Sequence, residues 1–309
     1  MTKQHSFRSE ADTMANSQLM EFVLNDIEKQ KGVAIPVRAN LLERLLVRRA
    51  RCKNIHPNPE DEFSMESVGP SYKILGEYEA KFRDAIRMER RPMVNPLLVE
   101  KLRPHGYMLL NGHHRWAAAM RCGIKRAPIR IINCATESDI KTLLENSLHD
   151  KRVALDLDEV VFGTDDSRYL EKKAFNFPMS LRFKKRLRLG IPALFYYLVR
   201  HGYDIWVYAA DFYSIDDIQR FFKAYSVHVD GIITGLSKRE QNMSESAARM
   251  KELINNKYKM TLHIDNEMIL ETHGRSGEYK EYDIETSEEE WSKKVIGIIE
   301  EIDKRAVQK

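Results

Sequence analysis

From Lys151 onward the chain alternates short β-branched runs with amphipathic stretches, and this rhythm restricts the possible folds more than any other feature of the sequence. Strands are expected at 153–157, 204–209, 231–234 and 260–264, with helices at 191–201, 215–224 and 243–255 between them. Each apolar run has strand length and each intervening stretch has helical spacing. Parallel strands need crossover connections of a dozen or more residues, which helices fill, so the expected class is α/β with a parallel sheet covered on both faces.

Ahead of Lys151 the pattern differs. Leu19, Phe22, Val23 and Ile27 recur at helical spacing within 15–31, and a second helix is expected over 38–50, so residues 1–50 read as a helical extension. HPNPEDEF (56–63) carries two prolines in an acidic loop that neither a helix interior nor a central strand accommodates. Helical periodicity returns over 75–91, and after Gly123 comes the β-branched run APIRIINC, then a helix over 137–148. A chain of 309 residues exceeds the usual size of one core. The expected division is therefore an α+β domain at 51–150 and an α/β domain at 151–309, with the boundary near 149–152.

Composition removes several classes. The longest apolar run, IPALFYYLV (191–199), falls far short of the roughly 20 residues of a membrane span, and the first residues lack a secretory apolar segment, so a cytoplasmic protein with no membrane partner is expected. Cys52, Cys122 and Cys134 form no C-x-x-C pair, which argues against a disulfide framework or a structural zinc. Fifty basic against 46 acidic residues give a formal charge of +4, too small an excess to announce nucleic acid. The basic residues gather at 47–53, 87–91 and 182–188, runs that elsewhere are most often solvated faces.

Two places carry chemistry. In LLNGHHRWAAAM (109–120) a short strand breaks at Asn111-Gly112 and a helix opens with His113, His114 and Arg115. Unpaired N–H groups of a first helical turn and the positive end of the dipole make such a junction an anion site, which histidine and arginine side chains would complete. The alternative is that the two imidazoles cap the helix while Arg115 points to solvent. In DLDEV, Asp156 and Asp158 stand two apart at the end of the first strand of the second domain, where α/β sheets bind ligands. Alternation sends both side chains the same way, and a hard cation such as Mg²⁺ relieves their repulsion. The plainer alternative is a pair of loop acids capping the next helix. THIDNE places Asp265 and Glu267 at another strand end, and GIITGLSKRE supplies Lys238 and Arg239. His263 reads as a strand residue, and Trp206 with Tyr208 as core. No Walker A loop, G-x-S-x-G elbow or H-E-x-x-H pair is present.

Residues from about 151 to 302 resemble the haloacid dehalogenase (HAD) superfamily through DLDEV. The resemblance implies a Rossmann-like domain with Asp156 as nucleophile, Asp158 as general acid/base, Asp265 as a Mg²⁺ ligand beside Asp156 and Asp158, and Lys238 or Lys251 as the phosphate-facing lysine. The family's second motif ends a strand in Thr or Ser, where DIWVYAADFYS has Ala209 and Ala210. Loss of that hydroxyl weakens transition-state binding by about a few kcal/mol. About forty-five residues separate DLDEV from DIWVY, so the cap is minimal and the site open, with RFKKRLR near its mouth.

The stretch PMVNPLLVEKLRPHGYMLLNGHHRWAAAMRCGIKRAPIRII resembles the ParB N-terminal / sulfiredoxin-like superfamily, with the likeness covering about 51–134. It implies Gly112, His113, His114 and Arg115 as ligands of the phosphates of ATP or a related nucleotide. By likeness to the family's kinases it implies Glu60 or Glu62 as a base. The reductases of the family need a cysteine where this chain has His113, and its DNA clamps carry a helix-turn-helix domain where a HAD-like domain follows here.

The function expected from these features is phosphoryl transfer. A nucleotide-binding domain, with a kinase activity on a small hydroxylated molecule, precedes a Mg²⁺-dependent HAD-type phosphatase acting on a phosphorylated small molecule or nucleotide. The alternative, less favoured because a HAD-like domain follows where the family's DNA clamps carry a helix-turn-helix domain, is a nucleotide-gated DNA-binding regulator with a catalytically weak HAD-like module.

Overall fold

The computed structural model describes residues 18–163, 167–175, 183–235, 245–274 and 278–307. The chain divides into two compact units, Met1–Asn133 and Cys134–Lys309. Each has its own sheet, so the class is mixed α/β.

In the first unit a helix over residues 18–30 (α1) precedes β1 (Ile35–Val37), α2 (Leu41–Leu45), β2 (Arg48–Arg51) and β3 (Ile55–Pro57). Then come α3 (Tyr72–Arg87), β4 (Leu97–Arg103), β5 (Tyr107–Asn111), α4 (His113–Arg121) and β6 (Arg126–Ile131). The strands order as β2-β6-β4-β5-β3, with β1 antiparallel to β4. Leu19 and Val23 of α1, Leu75 and Phe82 of α3 and Trp116 of α4 share one core with Val99, Leu109 and Ile129 of the sheet. Ala117, Ala118 and Ala119 are wholly or almost wholly buried. Small side chains let α4 lie close to its neighbours.

The expected helical extension over 1–50 is corrected here. Only five residues of the expected 38–50 helix are helical, held at the start by a capping box between Asn40 and Glu43. Beyond Leu46 the chain turns extended, and Arg48–Arg51 forms the edge strand beside β6, with Ala50 buried and its three arginines exposed. The extension is thus part of the sheet.

The second unit begins with α5 (Glu137–Asn146), ahead of the boundary expected at 149–152. Its Ile140 and Leu144 pack with Trp206, Met250 and Ile254, which is why it belongs to this unit. The sheet is built from β7 (Lys151–Asp156), β8 (Tyr203–Ala209), β9 (Gly231–Thr234), β10 (Met260–Ile264), β11 (Met268–His273) and β12 (Tyr279–Asp283). Its order is β12-β11-β10-β7-β8-β9; β10, β7, β8 and β9 run parallel, while β11 and β12 extend the sheet as an antiparallel hairpin that the helical rhythm had not signalled.

Helices cover both faces. Those of α6 (Ile191–Arg200), α7 (Ile215–Ala224) and α9 (Trp291–Val307) share a core with Val153, Leu155, Ile205 and Val207, and α8 (Glu245–Lys257) joins α5 over the other face. Strand alternation explains the split, since Trp206 points to the second face between Ile205 and Val207, which point to the first. Among the described residues no helix is long and apolar enough to cross a membrane.

Candidate functional site

In the first unit the chain leaves β5 and enters α4 at Gly112, whose φ of +103° is one that only glycine adopts without strain. A Cβ there would also lie 2.7 Å from Arg115 Nη2 and 2.8 Å from Leu97 Cδ2. The turn is closed tightly enough that the Arg115 guanidinium folds back across it, Nη1 donating to the Asn95 carbonyl and Nη2 to Asn111 Oδ1, each at 3.1 Å. Both acceptors are neutral, so the arginine's charge is not neutralised by these bonds.

The two histidines are not equivalent. His113 is 4% exposed and faces inward, stacked on Phe63, with the Asn58 N–H 3.4 Å from its Nε2 and Asp61 Oδ2 3.4 Å from its Nδ1. Burial, with help from the neighbouring His114, pushes its pKa down to about 3, so the ring is neutral and supports the opening loop from beneath. His114 is half-buried, its pKa also lowered by burial, and its Nε2 accepts the Ser71 N–H at 2.8 Å. Ser71 is the N-cap residue of α3, so one imidazole in the first turn of α4 ties down the start of α3. Neither helix has a side-chain cap or an acidic residue in its first turn. Two positive helix ends therefore meet at His114 with no carboxylate of their own to offset them.

Of the acids expected in the opening loop, Glu62 is exposed and the Glu60 N–H donates to Asn58 Oδ1. The acid that faces the turn is Asp61, between them. Its Oδ1 caps the short 3₁₀ turn Glu62–Ser64 through the Phe63 N–H at 2.9 Å, and burial raises its pKa. The signal for it was local: an aspartate one residue ahead of a turn whose Phe63 is buried.

In the second unit Asp156 ends β7 and its Oδ1 accepts the N–H groups of Asp158 and Glu159, both at 2.8 Å, capping a single π-helical turn over Leu157–Val161. Burial raises the pKa of Asp156, against the effect of those two bonds. Asp158 Oδ1 accepts the Tyr213 hydroxyl at 2.6 Å and lies 3.7 Å from Lys185 Nζ, within the basic run at 182–188. Tyr213, which no pattern singled out, is anchored by Thr234 of β9, whose hydroxyl donates to its carbonyl. Ala209 is buried at the end of β8, so that strand end offers no hydroxyl.

Parallel pairing sets Leu155 beside Ile264, so Asp156 and Asp265 follow at adjacent strand ends. Asp265 is exposed and accepts its neighbour's N–H from Asn266 at 2.6 Å. Among the described residues no three His, Cys, Asp or Glu side chains group to hold a metal ion. Asp156, Asp158 and Asp265, the expected Mg²⁺ ligands, do not form such a group, and Asp158 Oδ1 is turned to Tyr213 and Lys185. Lys238 lies outside the described residues, and Lys251 lines a cavity on the α5/α8 face of the sheet.

Residues 79–148 match the family model of the ParB N-terminal domain, a span that contains the Gly112–Arg115 turn. No curated protein matches the chain. Among solved structures, the C-terminally truncated chromosome-partitioning protein ParB from Caulobacter crescentus, crystallised with CTP-gamma-S, is similar at 21% identity and a TM-score of 0.24. The likeness covers 33% of this chain and 52% of that one, so the chain spans about half of the ParB it matches. The first unit and the helix after it thus carry a stretch similar to ParB N-terminal domains.

Proposed function

We propose that this chain is a nucleotide-binding protein whose first unit takes the phosphates of a nucleoside triphosphate at the Gly112–Arg115 turn and thereby governs contact with nucleic acid. The observation that carries it is the meeting of two uncapped helix ends at His114, with Arg115 laid across the turn on neutral acceptors. First-turn backbone N–H groups with a guanidinium in the same turn suit phosphate oxygens. Because His114 ties α4 to α3, a phosphate that engages this turn biases where α3 sits, which is the kind of differential contact a gate requires.

The nucleic-acid side rests on charge. Residues 101–136 contain no acid, and β2 and β6 set Arg51 directly opposite Arg126, flanked in sequence by Arg48, Arg49, Lys53, Lys125 and Arg130. Like charges held opposite each other cost stability unless something anionic covers them. The test is calorimetry of the full chain with CTP, ATP and GTP. At least one is expected to bind saturably, and Arg115→Ala is expected to weaken it by about tenfold to a hundredfold. Duplex DNA binding, followed by fluorescence anisotropy, is expected to change with that nucleotide and to fall steeply with salt. Unchanged nucleotide affinity in Arg115→Ala would remove the site from consideration.

A second activity is favoured by the register that brings Asp156 and Asp265 to adjacent strand ends. We propose phosphoester hydrolysis there: Asp156 attacks phosphorus, the ester bond breaks as Asp158, hydrogen-bonded to Tyr213, gives the leaving oxygen a proton, and water then cleaves the aspartyl-phosphate, releasing phosphate and restoring Asp156. With alanine at 209 and 210 turnover should be slow. Release of phosphate from p-nitrophenyl phosphate is expected to vanish in Asp156→Asn; activity equal to that of the unaltered chain would show that Asp156 is not the nucleophile. Kinase chemistry in the first unit would draw on Asp61, the acid beside the turn, in place of Glu60 or Glu62.

A further inference from the structure

Between α8 and the sheet of the second unit lies a cavity of about 470 Å³, lined by Arg152 of β7, Tyr208 of β8, His263 of β10 and Lys251, Asn255 and Tyr258 of α8 and its end. Asp156 is not among its walls, so it is separate from the strand-end site. We propose that this cavity holds a small organic anion, its charged group on Arg152 and Lys251 and its body against the Tyr258 ring and Ala247.

The buried guanidinium carries most of the weight. Arg152 is 3% exposed, and its Nε, Nη1 and Nη2 donate to Thr261 Oγ1 at 2.9 Å, the Tyr208 hydroxyl at 2.8 Å and Asn255 Oδ1 at 2.7 Å. All three acceptors are neutral. A buried charge is costly unless a counter-charge meets it, and a guanidinium has five N–H groups, so Nη1 and Nη2 each carry one more than these bonds use. Asp204 is the register partner of Arg152 on β8, but its carboxylate takes hydrogen bonds from Ser147, His149 and Tyr258 and makes no ion pair with the arginine among the described residues.

The walls are one-sided in charge. None of the described residues that line the cavity is a carboxylate, and Lys251 adds a second cation. His263, whose side chain is exposed, has its pKa lowered by its surroundings and by the nearby Arg152 and Lys251, and offers a hydrogen bond at the cavity wall. Ala154, Ile233 and Ala247 supply apolar wall, and the Tyr258 ring lies under the guanidinium of Arg152, whose Cζ stands 5.4 Å from the ring centroid. Volume and apolar wall exceed what an inorganic ion would fill and suit a ligand with a carbon skeleton.

Calorimetry of the full chain with benzoate and phenyl phosphate, and with benzamide as the uncharged counterpart, tests this. One or both anions are expected to bind saturably, with benzamide weaker by about tenfold or more. Lys251→Gln is expected to weaken the anion by a similar factor, and Ala247→Phe, which fills the cavity, to abolish binding. Arg152→Met removes three buried hydrogen bonds and is the variant at risk of not folding, so circular dichroism accompanies each protein and Lys251→Gln decides if the bulkier variants unfold. Absence of binding by both anions, benzamide as good as benzoate, or affinity unchanged in folded Ala247→Phe or in Lys251→Gln would overturn the proposal.

Discussion

Acidifying from about pH 7 to about pH 5 is expected to destabilise the first unit by about 2 kcal/mol through His113 alone. The folded ring has a pKa near 3 where an unfolded histidine has 6.5. As pH falls, the unfolded chain therefore takes up a proton that the folded unit refuses. Stability from this residue is complete above about pH 6.5 and is lost progressively down to about pH 3, where the total would approach about 5 kcal/mol. The ring is 4% exposed and lies on Phe63, so solvent does little to soften the penalty. Hydrogen exchange of peptides covering β4 and β5 reads this unit apart from the other. Their protection is expected to fall with pH in the unaltered protein and to fall by about 2 kcal/mol less in His113→Gln. An imidazole resonance for His113 that titrates near 6.5 in the folded protein would defeat the prediction.

The same ring marks the limit of what the sequence reveals. That GHHR opens a helix after a strand is legible, because Asn-Gly breaks the one and alanine builds the other. Which histidine faces outward is not, since both lie in one turn and only packing against Phe63 and the opening loop turns His113 in. Asp61 was hidden for a related reason. PEDEF offers three acids in a row, and the choice falls to the one whose carboxylate can cap the turn before Phe63.

In the second unit the parallel pairing of β10, β7, β8 and β9 follows from strand–helix alternation and is readable in advance, whereas their order is not. The hairpin of β11 and β12 is not, because its strands are short and half polar, with Glu271, His273, Lys280 and Glu281 among them. Arg152 was equally silent. An arginine inside a strand reads as an edge or solvent-facing residue, and only the placement of Thr261, Tyr208 and Asn255 from three other elements makes a buried site for it. The helix expected at 38–50 failed on the opposite ground: its arginines lie exposed on an edge strand, and long basic side chains are compatible with either period.

Replacement of Asp204 by alanine is expected to be among the most damaging single changes in the second unit, at about 3–5 kcal/mol. Its carboxylate is 2% exposed, with Oδ2 accepting the hydroxyls of Ser147 and of Tyr258, the latter at 2.6 Å, while Oδ1 lies 2.7 Å from His149 Nδ1. Tyr258 in turn accepts the Trp206 indole N–H at 2.9 Å, so one carboxylate organises a chain that runs from α5's end through α8's end to the middle of β8. Alanine leaves the Ser147 and Tyr258 hydroxyls without their acceptor and His149 without its carboxylate partner. Asparagine keeps the shape and one acceptor oxygen, so Asp204→Asn is expected to cost less, about 1–3 kcal/mol. The order of the two variants separates charge from packing: a pure cavity effect would spare asparagine almost entirely, whereas an electrostatic one penalises both. Urea denaturation followed by the fluorescence of Trp206 checks it in a Trp116→Phe, Trp291→Phe background. A midpoint for Asp204→Ala within about 1 kcal/mol of that background would mean that the buried network contributes far less than its hydrogen bonds imply.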